Sequence, residues 1–118
     1  MFIVSVIGEF SSAHFLKNYN GKCENLHGHN YKIQVFLKKE NLNSSFMVED
    51  FTKLKDELKK ILNSLDHKNL NEIDFFNMRN PTAEIIAFYI YQEMKKKFDN
   101  LFKVRVWETE KQYAEYLE

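Results

Sequence analysis

The chain has 118 residues, of which 44% are hydrophobic and 29% charged, a composition typical of one globular domain spanning residues 1–118. Lysine and arginine together number 17, as do aspartate and glutamate, so the chain lacks the basic excess typical of nucleic-acid-binding proteins. The single cysteine excludes an internal disulfide, and no apolar run approaches the ~20 residues of a membrane span, so we expect a cytoplasmic protein without a membrane or nucleic-acid partner.

Two strands are predicted near the start of the chain. Residues 2–12 alternate between apolar and polar side chains, which places Phe2, Val4, Val6 and Phe10 on one face. Residues 28–38 alternate in the same way, with Tyr31, Ile33, Val35 and Leu37 on one side. The segment between them is rich in asparagine, glycine and lysine, which predicts a loop.

From Asp50 the apolar spacing changes to that of a helix, and Asp50 itself is a suitable N-cap. The predicted buried stripe consists of Phe51, Leu54, Leu58, Ile61, Leu62 and Leu65. A second helix is predicted at "NPTAE", with Asn80 as N-cap and Pro81 in the first helical position. Its stripe consists of Ala83, Ile86, Ala87, Ile90 and Met94.

Two further strands, "LFKVRVWET" and "KQYAEYLE", follow the second helix. The resulting order, ββααββ, predicts an α+β domain. In such a domain two helices lie on one face of an antiparallel four-stranded sheet.

Three histidines are predicted to meet at one end of the first two strands. His27 and His29 are separated by two positions, so they point to the same side of a strand, and His14 continues the inward series of the first strand. Three imidazole nitrogens with one open position are the usual pattern of a catalytic zinc site. The alternative is a pair of partly buried histidines with backbone partners.

Two other signals accompany the histidines. Cys23 lies in the polar loop, where its thiol could be a fourth ligand that closes a structural zinc site, a small buried hydrophobe, or a catalytic base or nucleophile. Asp66 directly precedes His67 at the end of the first predicted helix, and a carboxylate can orient an imidazole for acid–base catalysis. The alternative for His67 is a favourable interaction with the helix C-terminus.

Six motifs together resemble one known family and occur in its order: "FSSAHFL" (10–16), "KCENLHGHNY" (22–31), "MVEDFTKLK" (47–55), "LDHKNLN" (65–71), "NPTAE" (80–84) and "WET" (107–109). They resemble the 6-pyruvoyl-tetrahydropterin synthase / 6-carboxytetrahydropterin synthase family. The resemblance implies a tunnelling fold. It also implies homotrimers whose sheets close a barrel, often stacked into homohexamers, with active sites at subunit boundaries.

The resemblance also implies roles for individual residues. The zinc site would be formed by His14, His27 and His29. The catalytic set would consist of Cys23, Asp66 and His67. Glu108 and Thr82 would contact the pterin. A carboxylate suits the pterin because it accepts two parallel hydrogen bonds from the donor edge of the ring.

The spacing C-x3-H-x-H resembles the queuosine-pathway branch of the family. It implies a zinc-dependent lyase that converts 7,8-dihydroneopterin triphosphate to 6-carboxy-5,6,7,8-tetrahydropterin, with release of acetaldehyde and triphosphate. The alternatives are a 6-pyruvoyl-tetrahydropterin synthase and a non-catalytic pterin-binding or zinc-stabilised oligomeric module. Two residues depart from the family pattern: Phe46 stands where glycine is frequent, and Asn25 where a basic residue is frequent.

Overall fold

A computed structural model describes all residues, 1–118. The four strands are β1 (Phe2–His14), β2 (His27–Lys39), β3 (Leu101–Thr109) and β4 (Gln112–Leu117), and the two helices are α1 (Phe51–Leu65) and α2 (Ala83–Lys95). All neighbouring strands are antiparallel, in the order β1-β2-β3-β4. The predicted ββααββ order and the four-stranded antiparallel sheet are therefore confirmed.

The β1–β2 hairpin is the longest ladder of the sheet. Its register runs without a bulge from Phe2, which pairs with Lys39, to His14, which pairs with His27. Both strands therefore extend one or two residues beyond the predicted bounds of 2–12 and 28–38. This extension places all three predicted metal-binding histidines on regular strand backbone at the same end of the hairpin.

Both helices cover the same face of the sheet, α1 over β1 and α2 over β3 and β4. Twenty-two buried hydrophobic residues form one cluster between the helices and the sheet. Gly8 permits the close approach of α1, because a Cβ atom there would lie 2.7 Å from Leu62 Cδ1. Neither helix is long and apolar enough to cross a membrane.

The boundary of α2 differs from the prediction. The N-cap is Thr82, whose hydroxyl accepts a hydrogen bond from the Ile85 amide, rather than Asn80. Asn80 is not available as a cap because its carboxamide pairs with the backbone of Lys17. Two predicted core residues at element ends, Phe2 and Phe51, are 49% and 54% exposed because no element covers them.

Candidate metal centre and active site

His14, His27 and His29 converge at the end of the β1–β2 hairpin, as the strand alternation predicts. One nitrogen from each ring lies within 4.8 Å of the other two. The Nε2 atoms of His14 and His27 are only 3.0 Å apart. The ring of His14 is almost completely buried, whereas those of His27 and His29 are half-buried, so the cluster is open on one side.

Backbone carbonyls determine which ring nitrogens carry protons. The Nδ1 atom of His14 lies 2.7 Å from the Pro81 carbonyl oxygen, and the Nδ1 atom of His27 lies 2.7 Å from the Asn25 carbonyl oxygen. A carbonyl oxygen only accepts hydrogen bonds, so each Nδ1 must donate and each Nε2 keeps its lone pair. The two closest nitrogens of the cluster are therefore both electron-pair donors.

This arrangement fits a bound metal ion. Two lone pairs 3.0 Å apart repel each other unless a cation lies between them, and the buried Nε2 of His29 has no hydrogen-bond partner. Burial lowers the pKa values of His14 and His29 below the usual range, which favours the neutral, ligating form of both rings. A metal held here would satisfy all three nitrogens.

Glu108 faces this cluster from strand β3. Its two carboxylate oxygens lie 3.7 Å from His14 Nε2 and 3.6 Å from His29 Nε2. The side chain continues the inward face of Val104 and Val106, as predicted, and is 21% exposed. Its charged neighbours are the two histidines, and no lysine pairs with it.

Asp66 and His67 form a turn directly after α1. His67 Nδ1 lies 2.8 Å from Asp66 Oδ2, and the His67 ring is 83% exposed. The Ser11 amide donates to Asp66 Oδ1, and this hydrogen bond, with the neighbouring His67, lowers the pKa of Asp66. Asp66 is therefore ionised at neutral pH, and its contact with Nδ1 orients the His67 ring with Nε2 facing outward.

Strand β1 holds this turn in an uncommon conformation. His67 has a φ angle of 54°, in the left-handed region that side chains other than glycine seldom occupy. The His67 amide donates to the Ser11 carbonyl oxygen, and the Ser12 hydroxyl bonds the Leu65 carbonyl and accepts from the Lys68 amide. These serines belong to "FSSAHFL", but the motif alone gave no sign that they contact residues 65–68.

The largest group of predicted site residues lines one cleft of about 830 Å³. Its lining includes His29, Asp66, His67 and Glu108. Cys23 and Thr82 line a separate cleft of about 380 Å³, to which Glu108 also contributes. Within one chain, therefore, the predicted Cys–Asp–His set does not share a single cleft.

Cys23 lies in a single turn of 3-10 helix and is half-buried. Its sulfur does not belong to the group of possible metal ligands, which consists of the three histidines. The arrangement therefore lacks the fourth protein ligand that a closed structural site requires. Thr82, the predicted pterin contact that lines the same cleft, uses its hydroxyl as the N-cap of α2.

Two residues near the cluster were not singled out as site residues. The hydroxyl of Tyr31 is buried without a hydrogen-bond partner, and burial raises its pKa. Its ring lies beside those of His14 and His29. The other is Pro81, whose carbonyl orients His14. Tyr31 was predicted only as a core residue of the second strand, but its position two residues after His29 places it on the same face as the histidines.

The ββααββ sheet with both helices on one face is a tunnelling-fold domain. The profile of the 6-pyruvoyl tetrahydropterin synthase family matches residues 3–118. The chain belongs to this family, and the expectation that it is a pterin lyase is confirmed at that level.

Similar proteins bear the names of two different reactions. The chain is 35% identical to the 6-carboxy-5,6,7,8-tetrahydropterin synthase of Haemophilus influenzae, with 100% of each chain covered. It is 34% identical to the 6-pyruvoyl tetrahydrobiopterin synthase of Dictyostelium discoideum, over 91% of this chain and 89% of that one. The solved structure of Caenorhabditis elegans 6-pyruvoyl tetrahydropterin synthase superimposes with a TM-score of 0.88 at 35% identity, covering 100% of this chain and 97% of that chain.

Proposed function

We propose that this protein is a zinc-dependent lyase that converts 7,8-dihydroneopterin triphosphate to 6-carboxy-5,6,7,8-tetrahydropterin, with release of acetaldehyde and triphosphate. The observation that carries the proposal is the cluster of three histidines with free Nε2 atoms, faced by Glu108. The short C-x3-H-x-H spacing between Cys23 and His29 supports the carboxy product, because that spacing resembles the queuosine-pathway branch.

The histidines suit zinc because three neutral imidazoles and one open position are its usual catalytic coordination. A zinc ion bound there would polarise the side-chain hydroxyls of the substrate as a Lewis acid. His14 and His27 are already held in the ligating tautomer by backbone carbonyls, and such outer partners usually strengthen binding.

The protein residues would bind the pterin and move protons. Glu108 would accept hydrogen bonds from the donor edge of the ring, next to the metal ligands. Cys23, in the smaller cleft bordered by Glu108, would take a proton from the substrate side chain. His67 would exchange protons on the other side through its outward Nε2, because its Nδ1 is engaged by Asp66.

The first alternative is the formation of 6-pyruvoyl-tetrahydropterin at the same site. The close superposition on the C. elegans synthase supports it, since that protein bears the name of this reaction. The second alternative is a non-catalytic pterin-binding or zinc-stabilised oligomeric module. The oriented Asp66–His67 pair argues against it, because binding alone does not require a hydrogen-bonded acid–base pair.

Incubation with 7,8-dihydroneopterin triphosphate distinguishes these functions. We expect mass spectrometry to detect the carboxy product and an alcohol dehydrogenase assay to detect released acetaldehyde in equal amount. A pyruvoyl product without acetaldehyde would support the first alternative. Triphosphate that stays attached to the pterin, in protein that holds zinc and binds the substrate, would support the second.

We expect Glu108→Gln to weaken binding of a pterin analogue by roughly 2–4 kcal/mol, measured by isothermal titration calorimetry. The substitution keeps the shape of the side chain but replaces one acceptor with a donor that would face the donor edge of the ring. The matched control is Glu40→Gln, because Glu40 is an exposed carboxylate at the other end of the sheet.

The zinc content of the Glu108 variant separates two roles. Its carboxylate lies close enough to two ligand nitrogens that it could itself approach the metal. An unchanged zinc content with weakened pterin binding supports the anchor role. Equal pterin affinity in the variant and the wild type would remove Glu108 from the substrate site, and loss of zinc would make it a ligand.

The family resemblance implies a homotrimer or homohexamer, and the edges of the sheet support association between copies. Strand β1 has 13 residues, and its outer edge is bonded only near one end, where Ser11 and Ala13 contact residues 66–69. Long unpaired edges are usually covered by another chain or protected. A groove beside β1 is lined by Leu58, Leu62, Lys55 and Lys59 among others, and it would receive strand β4 of a second copy.

We therefore expect multi-angle light scattering at micromolar concentration to give the mass of a trimer or hexamer. Pairing of β4 from one copy with β1 of the next would also cover the exposed His67 ring and would bring the two clefts of neighbouring copies together. A monomer at these concentrations would contradict both the assembly and the placement of active sites at subunit boundaries.

A further inference from the structure

Two asparagine side chains pair with the segment that follows β1. Asn71 accepts a hydrogen bond from the Phe15 amide at 2.9 Å and donates to the Phe15 carbonyl at 3.0 Å. Asn80 does the same with Lys17, at 2.7 Å and 2.9 Å. Asn71 is only 7% exposed, so its carboxamide pairs with the backbone inside the protein.

These bonds reproduce the pairing of a neighbouring strand. In an antiparallel ladder, alternate residues exchange both N–H···O bonds with one partner on the same edge. Here Phe15 and Lys17 exchange both bonds with a carboxamide, and the intervening Leu16 amide donates in the opposite direction to the Cys23 carbonyl at 2.7 Å. Beyond the last pair of β1 with β2, two carboxamides thus take the bonding positions of a neighbouring strand, up to the turn that begins at Lys17.

The first consequence concerns His14. Asn80 directly precedes Pro81 in the chain, and the Pro81 carbonyl accepts the hydrogen bond from His14 Nδ1. The pairing of Asn80 with Lys17 therefore fixes the carbonyl that selects the tautomer of His14. Without it, His14 could rotate or protonate Nε2 and lose its ligating lone pair.

The second consequence concerns Cys23. The hydrogen bond between Leu16 and Cys23 ties the loop back to the strand, whereas the other backbone bonds of residues 19–25 are local. The Leu16 amide lies between Phe15 and Lys17, whose backbone groups are both held by the carboxamides. Asn71 and Asn80 thereby determine where the Cys23 loop lies.

We infer that Asn71 and Asn80 are positioning residues that together form an asparagine clamp. The clamp holds residues 15–17 in place, and through them it presets the metal-binding tautomer of His14 and the location of Cys23. This inference rests on the proposed function for its metal, but the clamp itself consists of hydrogen bonds between protein groups.

The test uses Asn80→Ala and Asn80→Asp, with Asn71→Asp as a second site. An aspartate keeps the acceptor for the Lys17 amide but places an oxygen against the Lys17 carbonyl. Asn63→Asp, on the exposed surface of α1, is the control for the same change in charge. Circular dichroism establishes that each variant is folded before any other measurement.

Two readouts follow the two consequences. We expect the zinc affinity of the Asn80 variants, measured by competition with a chromophoric chelator, to fall about 10–100-fold, as for other lost outer-shell partners. We expect the single thiol of the zinc-loaded protein to react with a disulfide reagent on the order of tenfold faster in variants at both sites, because the loop opens more often. Asn63→Asp should match the wild type in both.

The outcomes separate the clamp from the proposed function. Wild-type zinc affinity and wild-type thiol reactivity in a folded Asn80→Asp variant would overturn the clamp and leave the lyase proposal intact. If the wild-type protein binds no zinc, the proposed zinc function fails, and the thiol rates decide alone. A faster rate in the clamp variants then supports the clamp, and an unchanged rate overturns it.

Discussion

His27→Ala should lose zinc and lyase activity together. His27 supplies one of two Nε2 lone pairs that lie 3.0 Å apart, so its removal leaves two histidines and an incomplete site. Catalytic zinc usually needs three protein ligands, and we expect less than about a tenth of the wild-type zinc to remain after dialysis. Metal content by inductively coupled plasma mass spectrometry, with activity on the same sample, provides the measurement.

The control for this experiment is His67→Ala, which removes an imidazole outside the cluster. It should retain the zinc and lose turnover. Full zinc occupancy in a triple alanine variant of His14, His27 and His29 would refute the metal site, because no other group of possible ligands exists in the chain. The same result would leave the fold unaffected.

Cys23→Ala should differ from His27→Ala in its zinc content, which we expect to be full. Turnover should still fall on the order of 10²-fold or more, the usual effect of a missing proton-transfer group. The sulfur lies in a different cleft from His29 and is not among the possible ligands of the cluster. Single-turnover kinetics on zinc-loaded protein would measure the loss in the chemical step rather than in product release.

Cys23→Ser is the matched variant, since a hydroxyl keeps the size and hydrogen bonding of the thiol but is a much weaker acid. It should resemble the alanine variant in rate and the wild type in zinc content. If either variant loses its zinc, Cys23 is a ligand, and the closed structural site becomes the better description.

The strands and the histidine cluster could be predicted because they depend on local periodicity. His27 and His29 face the same side as Tyr31 simply because a strand repeats every two residues. The pairing of His14 with His27 then follows from a hairpin whose two strands have similar length. No contact beyond the hairpin was needed to bring three imidazoles together.

The features that could not be predicted depend on contacts between distant parts of the chain. Asn80 has the preferred chemistry of an N-cap, but the backbone of Lys17, 63 residues away, takes its carboxamide. The left-handed conformation of His67 likewise depends on hydrogen bonds from β1 across 56 positions. Neither contact leaves a periodic trace in the sequence.

The division of the predicted catalytic residues between two clefts could not be predicted from the sequence either. Cys23 and the Asp66–His67 pair each lie near the end of the sheet, as expected, but on different sides of Glu108. The strand order predicts the end of the sheet at which a loop emerges. Which cleft the loop residues line depends on how the loop folds back onto the sheet.

The last pair of the hairpin, between His14 and His27, separates a regular ladder from the loop that connects the two strands. Everything between these two residues leaves and re-enters the sheet at one rung, and residues 17–22 are exposed. Beyond Lys17, which Asn80 holds, a change in the length of this exposed loop would alter one wall of the cleft that contains Cys23 without shifting the register of the three histidines. The hairpin therefore separates the position of the histidine cluster from the shape of the neighbouring cleft.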